Sequence, residues 1–120
     1  MFIAIFNMMG FFGFSQQSND STMTIDELKK MMEVDSTVVI LDVRTPEELV
    51  GPLGKLDKVI NIPIQELERR LNELIPFKEK EIAVICRSGN RSNFGTSILR
   101  SNGFKAKNVL GGMIEYRRKQ

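Results

Sequence analysis

The chain has 120 residues, with 17 Lys and Arg against 15 Asp and Glu and a net charge of +2. That suits one globular domain and provides no strongly basic face for nucleic acid. It contains no histidine and one cysteine, Cys86. A structural zinc site, a Cys–His or Ser–His catalytic pair and an internal disulfide are thereby excluded, and neither metal nor cofactor is expected.

Residues 1–14 are apolar and a polar stretch follows, so residues 1–21 read as an arm and linker ahead of a domain at 22–120. Fourteen residues are fewer than the roughly 20 that span a bilayer. No Lys or Arg precedes Lys29 to form the positive region of a signal peptide. The arm is expected to pack on the domain or on a second copy, with membrane-surface attachment and export as alternatives. The lack of a disulfide framework points to a cytoplasmic location.

Thr24 with Glu27 forms a capping box, and Met23 and Leu28 have the spacing of a hydrophobic staple. The helix this opens is expected to bury Leu28, Met31 and Met32. Residues 38–43 are a β-branched run with no polar alternation, the pattern of a strand covered on both faces. Thr45 and Glu48 form a second capping box with Pro46 at the first helical position. Residues 51–58 read as a loop and 59–62 as a short strand. Leu67, Leu71 and Leu74 recur at helical spacing until Pro76, which is expected to end the pattern. Residues 81–85 form a third buried strand. Phe94, Ile98 and Leu99 are expected to be the buried stripe of the next helix, closed by Gly103 with Phe104 against Leu99. Residues 107–110 form another strand, followed by Gly111, Gly112 and a terminal helix whose Arg117, Arg118 and Lys119 are expected to fray into solvent. Strands alternating with helices indicate α/β architecture with a largely parallel sheet.

The chemistry is concentrated in Cys86, Arg87, Ser88, Gly89, Asn90, Arg91 and Ser92, between a buried strand and an amphipathic helix. Successive loop N–H groups form an anion nest, and the helix N-terminus adds about half a positive charge. Gly89 supplies the positive φ that a tight curl needs. A thiol with a pKa of about 8.5 is only about 3% ionised at pH 7. Lowering it to about 6, at a cost of roughly 3.4 kcal/mol of differential stabilisation, makes it about 90% thiolate. Such an exposed thiolate would be open to oxidation. A cysteine that merely packs at a strand end has no need of this polar, arginine-bearing successor sequence.

The segment from Cys86 to Arg91, followed by Ser92, resembles the six-residue active loop of rhodanese domains. Residues 42–48 resemble that family's DVR-x-x-x-E segment, residues 59–63 its A-x-N-I-P segment, and Leu110 to Met113 its glycine pair. The resemblance runs over about residues 22–118. It implies a central parallel five-stranded sheet flanked by helices on both faces. It also implies that Cys86 takes sulfur from a small anionic donor such as thiosulfate and passes it, as a persulfide, to a thiol or cyanide acceptor. Loop amides would hold the persulfide charge, Arg87 and Arg91 would attract the donor, and Asp42 and Arg44 would brace the site. Lys55 and Lys58 stand where many relatives have histidine and glycine, and Tyr116 where tryptophan is common.

Two other functions compete. A cysteine-dependent phosphatase or arsenate reductase places five residues between cysteine and arginine. Here there are four, and Asp57 is a conceivable general acid that nothing in its spacing singles out. A non-catalytic scaffold of the same fold would carry an unreactive thiol.

Overall fold

The computed structural model describes residues 21–120, so the apolar arm lies outside the described residues. Five strands form one sheet: β1 at Thr22–Met23, β2 at Val39–Asp42, β3 at Ile60–Asn61, β4 at Glu81–Ile85 and β5 at Lys105–Val109. Their order is β1-β5-β4-β2-β3, and each neighbouring pair is parallel. Helices α1 (Ile25–Val34), α2 (Pro46–Leu49), α3 (Asn90–Ser101) and α4 (Gly112–Arg118) alternate with the strands. Two 3₁₀ segments, Ile64–Glu66 and Glu68–Phe77, connect β3 to β4. The expected parallel, helix-flanked α/β sheet is the one observed. Among the described residues no helix is long and apolar enough to cross a membrane.

Side chains alternate across a strand, so each residue's parity decides which layer it joins. Ile82, Val84 and Cys86 share one face with Leu41, Val43 and Ala106, beneath Leu67, Leu74 and Leu99. Ala83, Ile85, Ile40 and Val109 face the other way, onto Ile25 and Leu28 of α1 and Met113 of α4. Parity therefore carries the Cys86 side chain to the layer occupied by α3.

Both capping boxes form as read: Glu27 N–H donates to Thr24 Oγ1 at 3.1 Å and Glu48 N–H to Thr45 Oγ1 at 3.3 Å, with the reciprocal glutamate bonds present. The end of α3 is also as expected. Gly103 N–H donates to Arg100 O at 3.1 Å and Phe104 N–H to Leu99 O at 3.0 Å, with Phe104 and Leu99 in one core.

Other expectations need correction. Phe94 is 60% exposed, and the buried face of α3 is Ser92, Gly95, Thr96 and Leu99. A Cβ on Gly95 would meet Ile64 Cδ1 at 3.3 Å, so α3 lies too close to its neighbours for a large side chain there. The buried Thr96 hydroxyl is satisfied within the helix, donating to Ser92 O at 2.8 Å. Pro76 does not end its segment, which runs on to Phe77 after a break at Arg70 (φ −117°, ψ 17°). A proline in the last short turn removes only one hydrogen bond. Met31 and Met32 are half-buried rather than buried. Arg118 and Lys119 are solvent-exposed as expected, whereas Arg117 is half-buried and its Nε donates to Leu53 O at 2.8 Å. Tyr116 sits half-buried with Lys29 Nζ 5.0 Å above its ring.

Lys58 has φ 61° and is the one non-glycine residue with positive φ among the described residues. A left-handed backbone costs an L-residue about 1–2 kcal/mol, and glycine returns some of that as chain entropy. Lys58→Gly is therefore expected to raise stability by roughly 0.5–1 kcal/mol. Urea unfolding with an unchanged m-value is the check, and a loss of stability would contradict it.

Candidate active site

At the C-terminal end of β4 the chain turns into α3 through residues 86–89. Gly89, the N-cap of α3, adopts φ 113° and has no side chain with which to cap the helix. Cys86 Sγ takes that place. It accepts the Ser92 N–H at 3.4 Å and the Gly89 N–H at 3.1 Å, and lies 3.3 Å from Ser92 Oγ. Ser92 is the third residue of α3, so the sulfur occupies the position of a helix N-cap acceptor. Burial pushes the Cys86 thiol up. Hydrogen bonds from the Ser92 hydroxyl, when its proton turns to the sulfur, and from the Ser92, Gly89 and Ser88 N–H groups outweigh it and leave the thiol below its ordinary value. No imidazole takes part.

Cys86 is 1% exposed, on the floor of the loop rather than the open thiolate the sequence suggested. Around it, Arg87, Ser88 and Asn90 are exposed, and Gly89 and Arg91 are half-buried. Arg87 borders an open hollow of about 510 Å³ whose walls include Glu47, Pro52 and Leu53. Arg91 is committed elsewhere. Its Nη1 and Nη2 donate to Glu48 Oε1 and Oε2, both at 2.8 Å. This planar two-point pairing ties α3 to α2.

Beneath α2, Asp42 and Arg44 form an ion pair at 0% and 1% exposure, with Arg44 Nη2 2.7 Å from Asp42 Oδ2. A buried pair is tolerable only when its remaining polar atoms are also satisfied. Here Arg44 also donates to Gly54 O at 2.8 Å and Glu48 O at 3.3 Å, and Asn61 Nδ2 donates to Arg44 O at 2.8 Å. The pair thus splints the segment that presents Glu48 to Arg91.

Glu48 was legible only as a helix cap, because its partner lies 43 residues away. The Arg91 guanidinium beside it holds its carboxyl at about 2, below the ordinary 4.5. A depressed carboxyl pKa stabilises the fold fully above the unfolded value, and that stability is lost as pH falls toward 2. Glu48→Gln keeps an acceptor for the Thr45 N–H and removes the charge. It is expected to cost roughly 1–2 kcal/mol at pH 7 after allowance for solvent screening. Denaturant unfolding at pH 7 and pH 3 should show that gap narrowing in acid; a gap independent of pH would reject the clamp as its source.

Asn108 is a second residue that the sequence reading missed. It shares Ala106's parity on β5, is 5% exposed, and its Oδ1 accepts from Ser92 Oγ at 2.6 Å. The available signal was an asparagine at an inward-facing position of a strand.

A parallel α/β sheet whose strand-end cysteine caps the following helix is the frame of the rhodanese-like fold. The chain belongs to the rhodanese-like domain family, whose profile matches residues 24–119. It is 35% identical over 89 residues to YtwF of Bacillus subtilis, provisionally named a sulfurtransferase, covering 74% of this chain and 82% of that one. It is also 35% identical over 94 residues to YrkF of the same organism, provisionally named a sulfur carrier protein. That match covers 78% of this chain but only 49% of YrkF, so the chain spans about half of that relative. The crystal structure of a rhodanese-like domain protein from Staphylococcus aureus superposes with a TM-score of 0.73 at 33% identity, over 80% of this chain and 90% of that one.

Proposed function

We propose that the protein is a sulfurtransferase that moves sulfane sulfur from a small anionic donor, such as thiosulfate, to a thiol or cyanide acceptor. The observation that carries this reading is the single sulfur atom of Cys86 held by the Gly89 and Ser92 N–H groups. Those donors are fixed before reaction, so they stabilise negative charge on sulfur without reorganising.

In the first step the Cys86 thiolate attacks the outer sulfur of thiosulfate. A sulfur–sulfur bond forms at Cys86, the donor's sulfur–sulfur bond breaks, and sulfite leaves with its electron pair. In the second step cyanide or a thiolate attacks the terminal sulfur of the persulfide, giving thiocyanate or a new persulfide and returning Cys86 as thiolate. Charge balances in both steps and no oxidant is needed. Arg87, exposed beside the hollow, draws the anionic donor in; Arg91 holds the loop through Glu48. A sulfur buried on the loop floor favours a slim donor presented end-on.

The phosphatase alternative needs an arginine aimed at a bound oxyanion, whereas the Arg91 guanidinium is occupied by Glu48. Asp57 lies exposed in the 51–58 loop. Intact-mass spectrometry of reduced protein after incubation with thiosulfate tests the proposal. Gain of one sulfur atom, removed by cyanide, is the expected result. No gain with thiosulfate, polysulfide or mercaptopyruvate, from protein with a free thiol, would reject it; turnover of an aryl phosphate would point to the phosphatase.

A further inference from the structure

Cys86, Ser92 and Asn108 form a buried chain, with Sγ 3.3 Å from Ser92 Oγ and Ser92 Oγ 2.6 Å from Asn108 Oδ1. Ser92 is fully buried and Asn108 is 5% exposed. A hydroxyl has one proton to give. With Oδ1 facing it, Ser92 donates to Asn108, and its oxygen can only accept from Cys86. That arrangement suits a thiol, whose S–H donates to Ser92, and leaves a thiolate without the hydroxyl donor.

A half-turn of the Asn108 amide reverses the chain. Nδ2 then donates to Ser92 Oγ, and the hydroxyl proton is free for sulfur. The two amide ends are nearly equal in size, so the turn preserves packing. Ser92 is the one side-chain partner of the Asn108 amide among the described residues, so both orientations keep the same number of protein hydrogen bonds. Asn108 is also anchored by its backbone, with its N–H donating to Ser21 O at 2.8 Å, so the amide can turn without moving β5.

We propose that Ser92 and Asn108 are a reversible relay that accepts from Cys86 as a thiol and donates to it as a thiolate or persulfide, with Asn108 a positioning residue acting through Ser92. The proposal rests on Cys86 being the reactive group. The charged groups around it are Arg91 with its partner Glu48, the Asp42–Arg44 pair of β2 and its following turn, and Arg87 in the loop. All of them stay in place in the variants below.

The test is the pH profile of Cys86 alkylation by iodoacetamide, read alongside thiolate absorbance. Asn108→Asp offers only acceptors, holds the Ser92 proton, and is expected to raise the thiol pKa by about one unit or more. Asn108→Leu removes the competing acceptor and is expected to leave the pKa within about half a unit of native. Part of the Asn108→Asp shift is bare charge, which a double-mutant cycle with Ser92→Ala isolates. Without the hydroxyl, the Asn108→Asp shift is expected to shrink by at least half. An additive cycle, or equal shifts from Asn108→Leu and Asn108→Asp, would overturn the relay. Should Asn108→Asp not fold, the native protein still decides. The Asn108 side-chain amide resonances are expected to move as Cys86 titrates, and their invariance would overturn the proposal. Persulfide loading of native protein, measured in parallel, separates the two ideas. Coupling without loading removes the sulfurtransferase reading, and loading with an additive cycle removes the relay.

Discussion

Cys86→Ser is expected to abolish sulfur loading outright. After incubation with thiosulfate the native protein should carry one extra sulfur atom, and the variant none. Thiocyanate formation from thiosulfate and cyanide should fall to the uncatalysed background. The reason is chemical rather than structural. Serine keeps a small side chain at a position that is 1% exposed, and its hydroxyl can still accept the Gly89 and Ser92 N–H groups. What it loses is nucleophilicity, because a hydroxyl with no base nearby stays protonated, whereas the hydrogen bonds at Cys86 favour its thiolate. The fold should therefore survive, and unfolding by urea should show a midpoint close to native. Loading of the variant would place the acceptor sulfur elsewhere, and with one cysteine in the chain no other thiol is available.

The absence of histidine makes this expectation sharper. Burial alone would raise the Cys86 thiol pKa, so the N–H groups at the head of α3 and the Ser92 hydroxyl must offset that cost. The α3 N-terminus is built for this: Gly89 leaves the helix uncapped and the sulfur supplies the missing acceptor. Lowering the thiol pKa and capping the helix are then one interaction.

Local features of the fold were legible in the residues, as was the parallel sheet through the alternation of strands with helices, whereas individual long-range contacts were not. The two capping boxes, the end of α3 and strand β4 involve residues within six positions of each other, and each formed as read. Strand β1 was not foreseen as a strand. It has two residues, and it exists because Ser21 O and Met23 O accept from the N–H groups of Asn108 and Leu110, some 87 positions away. Phe94 misleads because apolar spacing does not mark the buried face of α3, which is mainly the small residues Ser92, Gly95 and Thr96 that allow close approach. In the site, the segment from Cys86 to Ser92 was visible as a cluster of polar types after a strand, and its last three residues open α3. Its supports, Glu48 and Asn108, were not, since nothing local marks an ion pair across 43 positions or an inward amide on another strand.

Gly112→Ala is expected to damage both stability and the site, by about 2–4 kcal/mol and with a parallel fall in Cys86 alkylation rate. Gly112 has φ 58°, and a Cβ there would lie 2.5 Å from the carbonyl oxygens of both Cys86 and Arg87. Those atoms are backbone and cannot swing aside. They are also held in place: Met113 N–H donates to Cys86 O at 2.9 Å and Ile114 N–H to Arg87 O at 3.0 Å. The first turn of α4 therefore grips the cysteine loop from behind, and glycine is what allows so close an approach. Gly111→Ala is the control. It carries similar backbone strain, but its Cβ would meet the Glu115 side chain at 2.6 Å rather than the loop. Both variants should lose stability, and only Gly112→Ala should also displace the Cys86 pH profile in protein that remains folded. If the two variants alter Cys86 reactivity equally, the glycine pair serves the turn alone and the grip of α4 on the loop plays no part in shaping the sulfur site.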